Sequence, residues 1–291
     1  MRIGHLYKRA SGAVALATLT FTLSESAAAE GFDLADRFNN ALSAVQEGID
    51  LLWPGDLDSE EVNARIGVGM GWMPDYDGSN NYRFRILPLI DVRYKEVWRL
   101  NGSQFTYSAY KKGNFEAGPL LNLHFGRQES SNQALEGMGD ISTTLDVGVF
   151  ARYSNNQMLI SSDIRQALGA GQGTQIRLTA GHGIYQNGNF AMGAGIRGKW
   201  LSKKAMQTNF GVTEEQAANS TSGLQAFEAN GGVSELSINV IGALRINDRA
   251  RILGLVSLGR MLGSAADSPL SGGRYGSATQ FVSGTALQFK F

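Results

Sequence analysis

From Gln280 to Phe291 the chain alternates, with Phe281, Ser283, Thr285, Leu287, Phe289 and Phe291 on one face and Val282, Gly284, Ala286, Gln288 and Lys290 on the other. A period of two that ends on an aromatic residue leaves few folds open, because one face suits lipid and the other a polar lumen. The pattern predicts an all-β fold, a transmembrane antiparallel β-barrel, with this stretch as its closing strand. Phe289 and Phe291 are then the assembly signal that barrel-assembly machinery reads, and outer-membrane lipid is the surrounding medium.

The other end of the chain fits an exported protein. Arg2, Lys8 and Arg9 form a positive start, Ser11 to Leu23 an apolar stretch, and Ala27-Ala28-Ala29 a small-residue cleavage site. Residues 1–29 are expected to be a removed signal peptide, since the apolar core is shorter than the roughly 20 residues of a spanning helix. The expected location is the outer membrane of a Gram-negative bacterium. Residues 30–60 form an N-terminal periplasmic segment, in which Leu34, Phe38, Leu42, Val45, Ile49 and Leu52 follow spacings of three and four. That spacing predicts an amphipathic helix over 32–52, ending before Pro54. It is either a docking segment or plug, or an extension that packs on the barrel.

Composition narrows the chemistry. The chain has no cysteine, so disulfides and thiolate metal sites are excluded. Lys+Arg and Asp+Glu both number 26, which gives no net attraction to nucleic acid. A mean hydropathy of −0.16 is too polar for a helical membrane protein, but a barrel confines its apolar residues to alternate positions. The 37 glycines recur inside strand-like stretches, as tight bends and close backbone approaches require.

From residue 61 to 291 the sequence reads as the barrel. Eleven alternating runs stand out, near 62–72, 82–95, 97–110, 114–127, 141–153, 156–167, 174–187, 189–201, 229–246, 249–262 and 279–291. An even strand number is required, so either one strand is missed or another is wrongly divided, and the stretch from Tyr94 to Ser103, with the turn-prone Asn101-Gly102, is the first place to look. The expectation is therefore twelve strands, with ten as the alternative. Short connections at 154–156, 186–189 and 247–248 fall to the periplasm, and long ones at 128–140, 202–228 and 263–278 to the outside.

The inward faces collect Arg83, Arg85, Arg93, Arg152, Arg165, Arg177, Arg197, Lys199 and Arg245, against Asp91, Glu116, Asp146 and Asp163. An open lumen with this excess would favour anions. Alternatively the groups pair across the interior and fill it. Gly193-Ala194-Gly195-Ile196-Arg197-Gly198 fits a dinucleotide fingerprint, yet no helix follows and the run continues as a strand. His124 and His182 each stand without metal-ligand spacing, so neither a metal nor a cofactor is expected. A catalytic role for His124 would need a serine within reach.

The loop pieces are more distinctive. In order they are Pro74-Asp75-Tyr76-Asp77-Gly78-Ser79, Gly118-Pro119 leading to Gly126-Arg127, Leu135-Glu136-Gly137 with Asp140, Trp200 followed by Phe210-Gly211-Val212, Ser222-Gly223-Leu224, and Asp267-Ser268-Pro269-Leu270. Together, over about 62–291, they resemble the MltA-interacting protein (MipA/OmpV) family of outer-membrane proteins. The resemblance implies a scaffold, not an enzyme, that brings together a lytic murein transglycosylase and a murein synthase. The chain departs from the family pattern in the 32–52 segment and at Met206-Gln207-Thr208-Asn209, where tyrosines are usual. A small anion-preferring channel and a surface adhesin are the alternatives. Of the motif residues, Pro, Gly and Ser suit turns whatever the function. Tyr76, Trp98, Trp200 and Phe210 lie near strand ends, where an aromatic girdle is expected.

Overall fold

The computed structural model describes residues 62–155 and 157–291; the expected signal peptide, the 30–60 segment and its 32–52 helix lie outside the described residues. Thirteen strands form one antiparallel sheet: β1 (Val62–Pro74), β2 (Tyr82–Tyr94), β3 (Trp98–Asn101), β4 (Gln104–Tyr107), β5 (Tyr110–Lys112), β6 (Phe115–His124), β7 (Thr144–Ser154), β8 (Met158–Ala167), β9 (Thr174–Asn187), β10 (Phe190–Leu201), β11 (Gly232–Arg245), β12 (Ala250–Met261) and β13 (Thr279–Lys290). Sequence neighbours pair with each other except β4 and β5, which both pair with β6, and β1 pairs with β13, so the sheet closes on itself.

The barrel has twelve staves, because β4 and β5 are one strand interrupted by a bulge. Both pair with β6, with Thr106 opposite Leu120 and Tyr110 opposite Ala117, so the β4/β5 side carries one residue more than its partner. Gly118 faces the bulge. A Cβ there would fall 1.8 Å from the Tyr107 carbonyl oxygen, so only glycine lets the two backbones approach.

The run read as 97–110 is divided at Asn101-Gly102, as the even strand count demands. Gly102 has φ +57° and donates its N–H to the Ile90 carbonyl at 2.8 Å. The β3–β4 hairpin thus turns eight residues short of the end of β2 at Tyr82, roughly 25 Å along that strand. Pro88, which has no N–H to leave unmatched, sits on the edge of β2 beyond the hairpin tip. Other ends differ by a few residues from the alternation: the fourth run stops at His124 and the fifth starts at Thr144, where Arg127 and Ile141 form an isolated bridge outside the strands.

Alternation sets the two faces. Ile86, Ile196, Ile238, Val256, Leu258 and Leu287 point outward and are exposed, while their neighbours Arg85, Leu87, Ser237, Asn239, Leu255, Ser257 and Gln288 are buried. An apolar outer belt on a closed sheet leaves no backbone edge facing hydrocarbon except at the short hairpin, which is the condition for crossing a bilayer with strands. Trp72, Phe84, Trp200 and Phe281 lie toward one end of the belt and Tyr94, Trp98, Tyr107, Tyr110, Phe115 and Tyr153 toward the other, as interfacial aromatics do. Both ends of the described barrel, Val62 and Phe291, emerge on the side of the tight turns, the side that the turn lengths assign to the periplasm.

Candidate functional site

Two features could carry function: the folded loops at the outer end and the polar half of the lumen. Sequence reading left the outer connections as long loops, but they fold together. Helix α1 (Lys203–Phe210) is capped by Ser202, whose side chain accepts from the Ala205 N–H, and helix α2 (Glu214–Asn219) begins with a reciprocal box between Thr213 and Gln216. A third short helix, α3 (Ser264–Asp267), lies between β12 and β13.

The loop residues singled out in the sequence meet in this cap. Tyr76, Leu135, Met138, Val212, Leu224 and Leu270 come from four hairpins and form one buried cluster. Leu201, Met206, Phe210, Ala229, Met261 and Ala265 form a second beside it. Polar links fix the arrangement. The Tyr76 hydroxyl donates to the carbonyls of Leu270 at 3.2 Å and Tyr275 at 3.3 Å. Ser268 Oγ donates to the Phe210 carbonyl at 2.6 Å and accepts from the Leu270 N–H at 3.1 Å, ahead of Pro269 in the first turn of a 3-10 helix. Arg127 Nη1 reaches the Asn209 carbonyl at 3.0 Å, and Val212 bridges Phe227. Ser79 bridges Gly276. Gly78, at φ +105°, leaves no room for a Cβ against Ser271. Gly126 and Gly211 are packed as closely, against Ile141 and Gln207.

Burial pushes the Tyr76 hydroxyl up to about 12, partly offset by the positive Arg127. This position corrects one expectation. Trp98 and Trp200 do lie on the outer face near strand ends, but Tyr76 and Phe210 are buried in the cap and form no part of a girdle. Phe210 closes a helical turn and points with Met206 into the cluster, a period of four that the strand reading overlooked.

Inside the barrel, the wall from β3 to β9 is polar. Arg99 Nε donates to Asp91 at 2.9 Å, with Arg93 at 3.9 Å from the same carboxylate. Arg152 Nη1 meets Glu116 at 2.7 Å, and Glu116 also accepts from Ser108 at 2.9 Å. Asp163 accepts from Arg165 Nε at 2.5 Å and Arg177 Nε at 3.1 Å, and both guanidiniums also donate to Gln104 Oε1. Arg83 binds Asp75 and the Ser131 carbonyl, tying β2 to the cap. Arg85 is buried on the same inward face, and Arg197 faces the lumen opposite Thr179. Pairing of this kind ties the arginines into the wall without cancelling the positive excess, since Asp91 and Asp163 are each shared by two guanidiniums.

The opposite wall carries an apolar patch: Met73, Leu87, Leu89, Ile241, Leu253 and Leu255 form a buried cluster from β1, β2, β11 and β12. His124 Nδ1 lies 3.3 Å from Asp146 and 3.5 Å from Gln175, and no serine is among its described hydrogen-bond partners. No cluster of three metal-ligating side chains occurs among the described residues. Gly193 to Gly198 lie within β10, and a Cβ at Gly195 would crowd the Ala180 carbonyl across the ladder.

A family model described as MltA-interacting protein MipA matches residues 66–291. No curated protein sequence matches the chain. Among solved structures, the NanC porin is similar with a TM-score of 0.42 at 7% identity, covering 78% of this chain and 100% of its own. The KdgM porin gives a TM-score of 0.38 at 10% identity over 78% of this chain and 99% of that one. An outer membrane channel from Pseudomonas putida F1 gives 0.39 at 11% identity over 81% and 98%.

Proposed function

Because the chain belongs to the MltA-interacting protein MipA family, we propose that this outer-membrane barrel is a scaffold that holds murein-remodelling enzymes against the inner face of the membrane. The partners would be a lytic murein transglycosylase and a murein synthase, and the role is binding rather than catalysis. The observation that carries the reading is the cap. Loops from hairpins around the barrel share a buried core at the outer end, so the surfaces left for wall enzymes are the short turns on the periplasmic side, at 95–97, 113–114, 188–189 and 246–249. A scaffold needs such exposed patches on a rigid support and no reactive group.

A cationic filter is less well supported, because Arg99, Arg152, Arg165 and Arg177 are ion-paired in the lumen wall. The test is site-specific photo-crosslinking in intact cells. A photoreactive residue at Gly188 or Asp248 should capture a lytic transglycosylase, while one at Gln225 in the outer cap should not. Capture of no wall enzyme from any periplasmic turn would refute the scaffold.

A further inference from the structure

At the periplasmic mouth the strand register gathers like charges. The β1–β13 ladder sets Arg65 opposite Lys290, and the β11–β12 ladder sets Arg245 opposite Arg251. Like charges directly across a ladder are destabilising, so two such pairs at one end of a barrel oppose its own stability. Arg65 also faces Asp91 across β1–β2, so an acid borders this group on the lumen side. With Arg249 these cations line one pocket, in which Asp248 is the single acid among the described residues.

The pocket has a built floor. Gln288, 1% exposed, lies opposite Arg251 in the β12–β13 ladder and accepts from Arg251 Nε at 2.8 Å through Oε1. That bond commits the oxygen and leaves the amide nitrogen, a buried donor with no hydrogen-bond partner among the described residues. A buried amide without an acceptor is costly, so its place in a cation-lined pocket points to a ligand that brings oxygen. The rim is held in shape by Asn247, whose Oδ1 accepts from the N–H groups of both Arg249 and Ala250 at 2.9 Å.

From this arrangement we infer that the periplasmic mouth is a binding site for a multivalent phosphate-type oxyanion. A phosphate group brings more oxygens and more charge than a carboxylate, which suits a pocket lined by Arg65, Arg245, Arg249, Arg251 and Lys290 beside the Gln288 amide. The phosphate is either a soluble group of the periplasm or a lipid headgroup at the inner rim. This site does not depend on the scaffold reading.

The experiment titrates the folded full-length mature barrel calorimetrically at low salt with inorganic pyrophosphate in one arm and with a short-chain phosphatidylglycerol in the other. Heat-modifiable gel mobility shows that each sample is folded. Saturable binding of pyrophosphate identifies a soluble ligand, and saturable binding of the lipid alone identifies a headgroup. In either case Gln288→Glu, which puts an anion at the floor, should weaken binding at least tenfold. Arg249→Glu, on the exposed turn, gives a second variant that leaves the ladder intact and should weaken it severalfold. Absence of saturable binding in both arms, or binding unchanged in a folded Gln288→Glu or Arg249→Glu barrel, overturns the inference.

Discussion

Replacing Ser268 with alanine should open the cap and leave the barrel closed. Its hydroxyl is 1% exposed and makes two bonds, one to the Phe210 carbonyl and one from the Leu270 N–H, so it joins the β10–β11 and β12–β13 loops. Alanine leaves one buried carbonyl and one buried N–H without partners. At about 1–3 kcal/mol for each such group, with the two sharing one site, the loss is about 2–4 kcal/mol. Because 1.36 kcal/mol is a factor of ten, protection of cap amides should fall roughly 30- to 1,000-fold. Native-state hydrogen exchange on the folded barrel measures it, with amides in 204–229 and 265–277 losing protection and those of β11 to β13 retaining theirs. Retained protection in the cap, or equal loss in the β12–β13 ladder, would refute the claim that the cap is a separate unit held by this serine.

Asp163→Asn should cost about 3–5 kcal/mol in urea unfolding, since Arg165 and Arg177 would stay buried without their counter-charge; adding Arg177→Met should recover part of it. Tyr76 ionises near 12 when folded and near 10 when unfolded, so folding favours its neutral form. Its contribution is complete below about pH 10 and falls by about 3 kcal/mol as the pH rises toward 12. Near-UV circular dichroism should show the cap loosening over that range in the wild type, and the loosening should be smaller in Tyr76→Phe. Gly118→Ala should lower the yield of heat-modifiable, folded barrel, because the new Cβ collides with the Tyr107 carbonyl at the bulge. Lys203→Ala should leave the urea unfolding midpoint unchanged, since its ion pair with Glu228 is exposed and screened.

The barrel was legible in the sequence because a two-sided wall writes itself as alternation. Leu145, Val149 and Tyr153 outward against Asp146, Phe150 and Arg152 inward is the plain case. The β3–β4 hairpin was partly hidden, since its strands are only four residues long. One signal does mark it: the outward residues are Trp98 and Leu100 before the turn but Phe105 and Tyr107 after it, so the parity reverses. Facing was readable for Arg152, Arg165 and Arg177, but partners were not, because the ladder register and rotamers decide which carboxylate each reaches. The assembly of the cap was not legible. Tyr76, Leu135, Val212 and Leu270 stood out as motif residues, but they follow no period and their packing neighbours lie in other hairpins. Phosphate-site residues were hidden for the same reason, since Arg65 and Lys290 stand far apart in the chain and meet only across the closing ladder.

That closing ladder bears on the route by which the protein comes apart. The first and last strands pair from Arg65–Lys290 to Trp72–Ser283, and backbone bonds continue past them into the loops, from Asn80 N–H to the Tyr275 carbonyl and from Ser277 N–H to the Gly78 carbonyl. The Tyr76 hydroxyl adds a side-chain tie at the same junction. Residues some 200 positions apart are thus fastened beyond the strand ends, so the seam cannot unzip from the outer end until the cap has first come undone. The barrier to escape then contains the cap as well as the ladder, and the lifetime of the folded barrel, rather than its equilibrium free energy, is the quantity most sensitive to loop residues such as Tyr76 and Ser268.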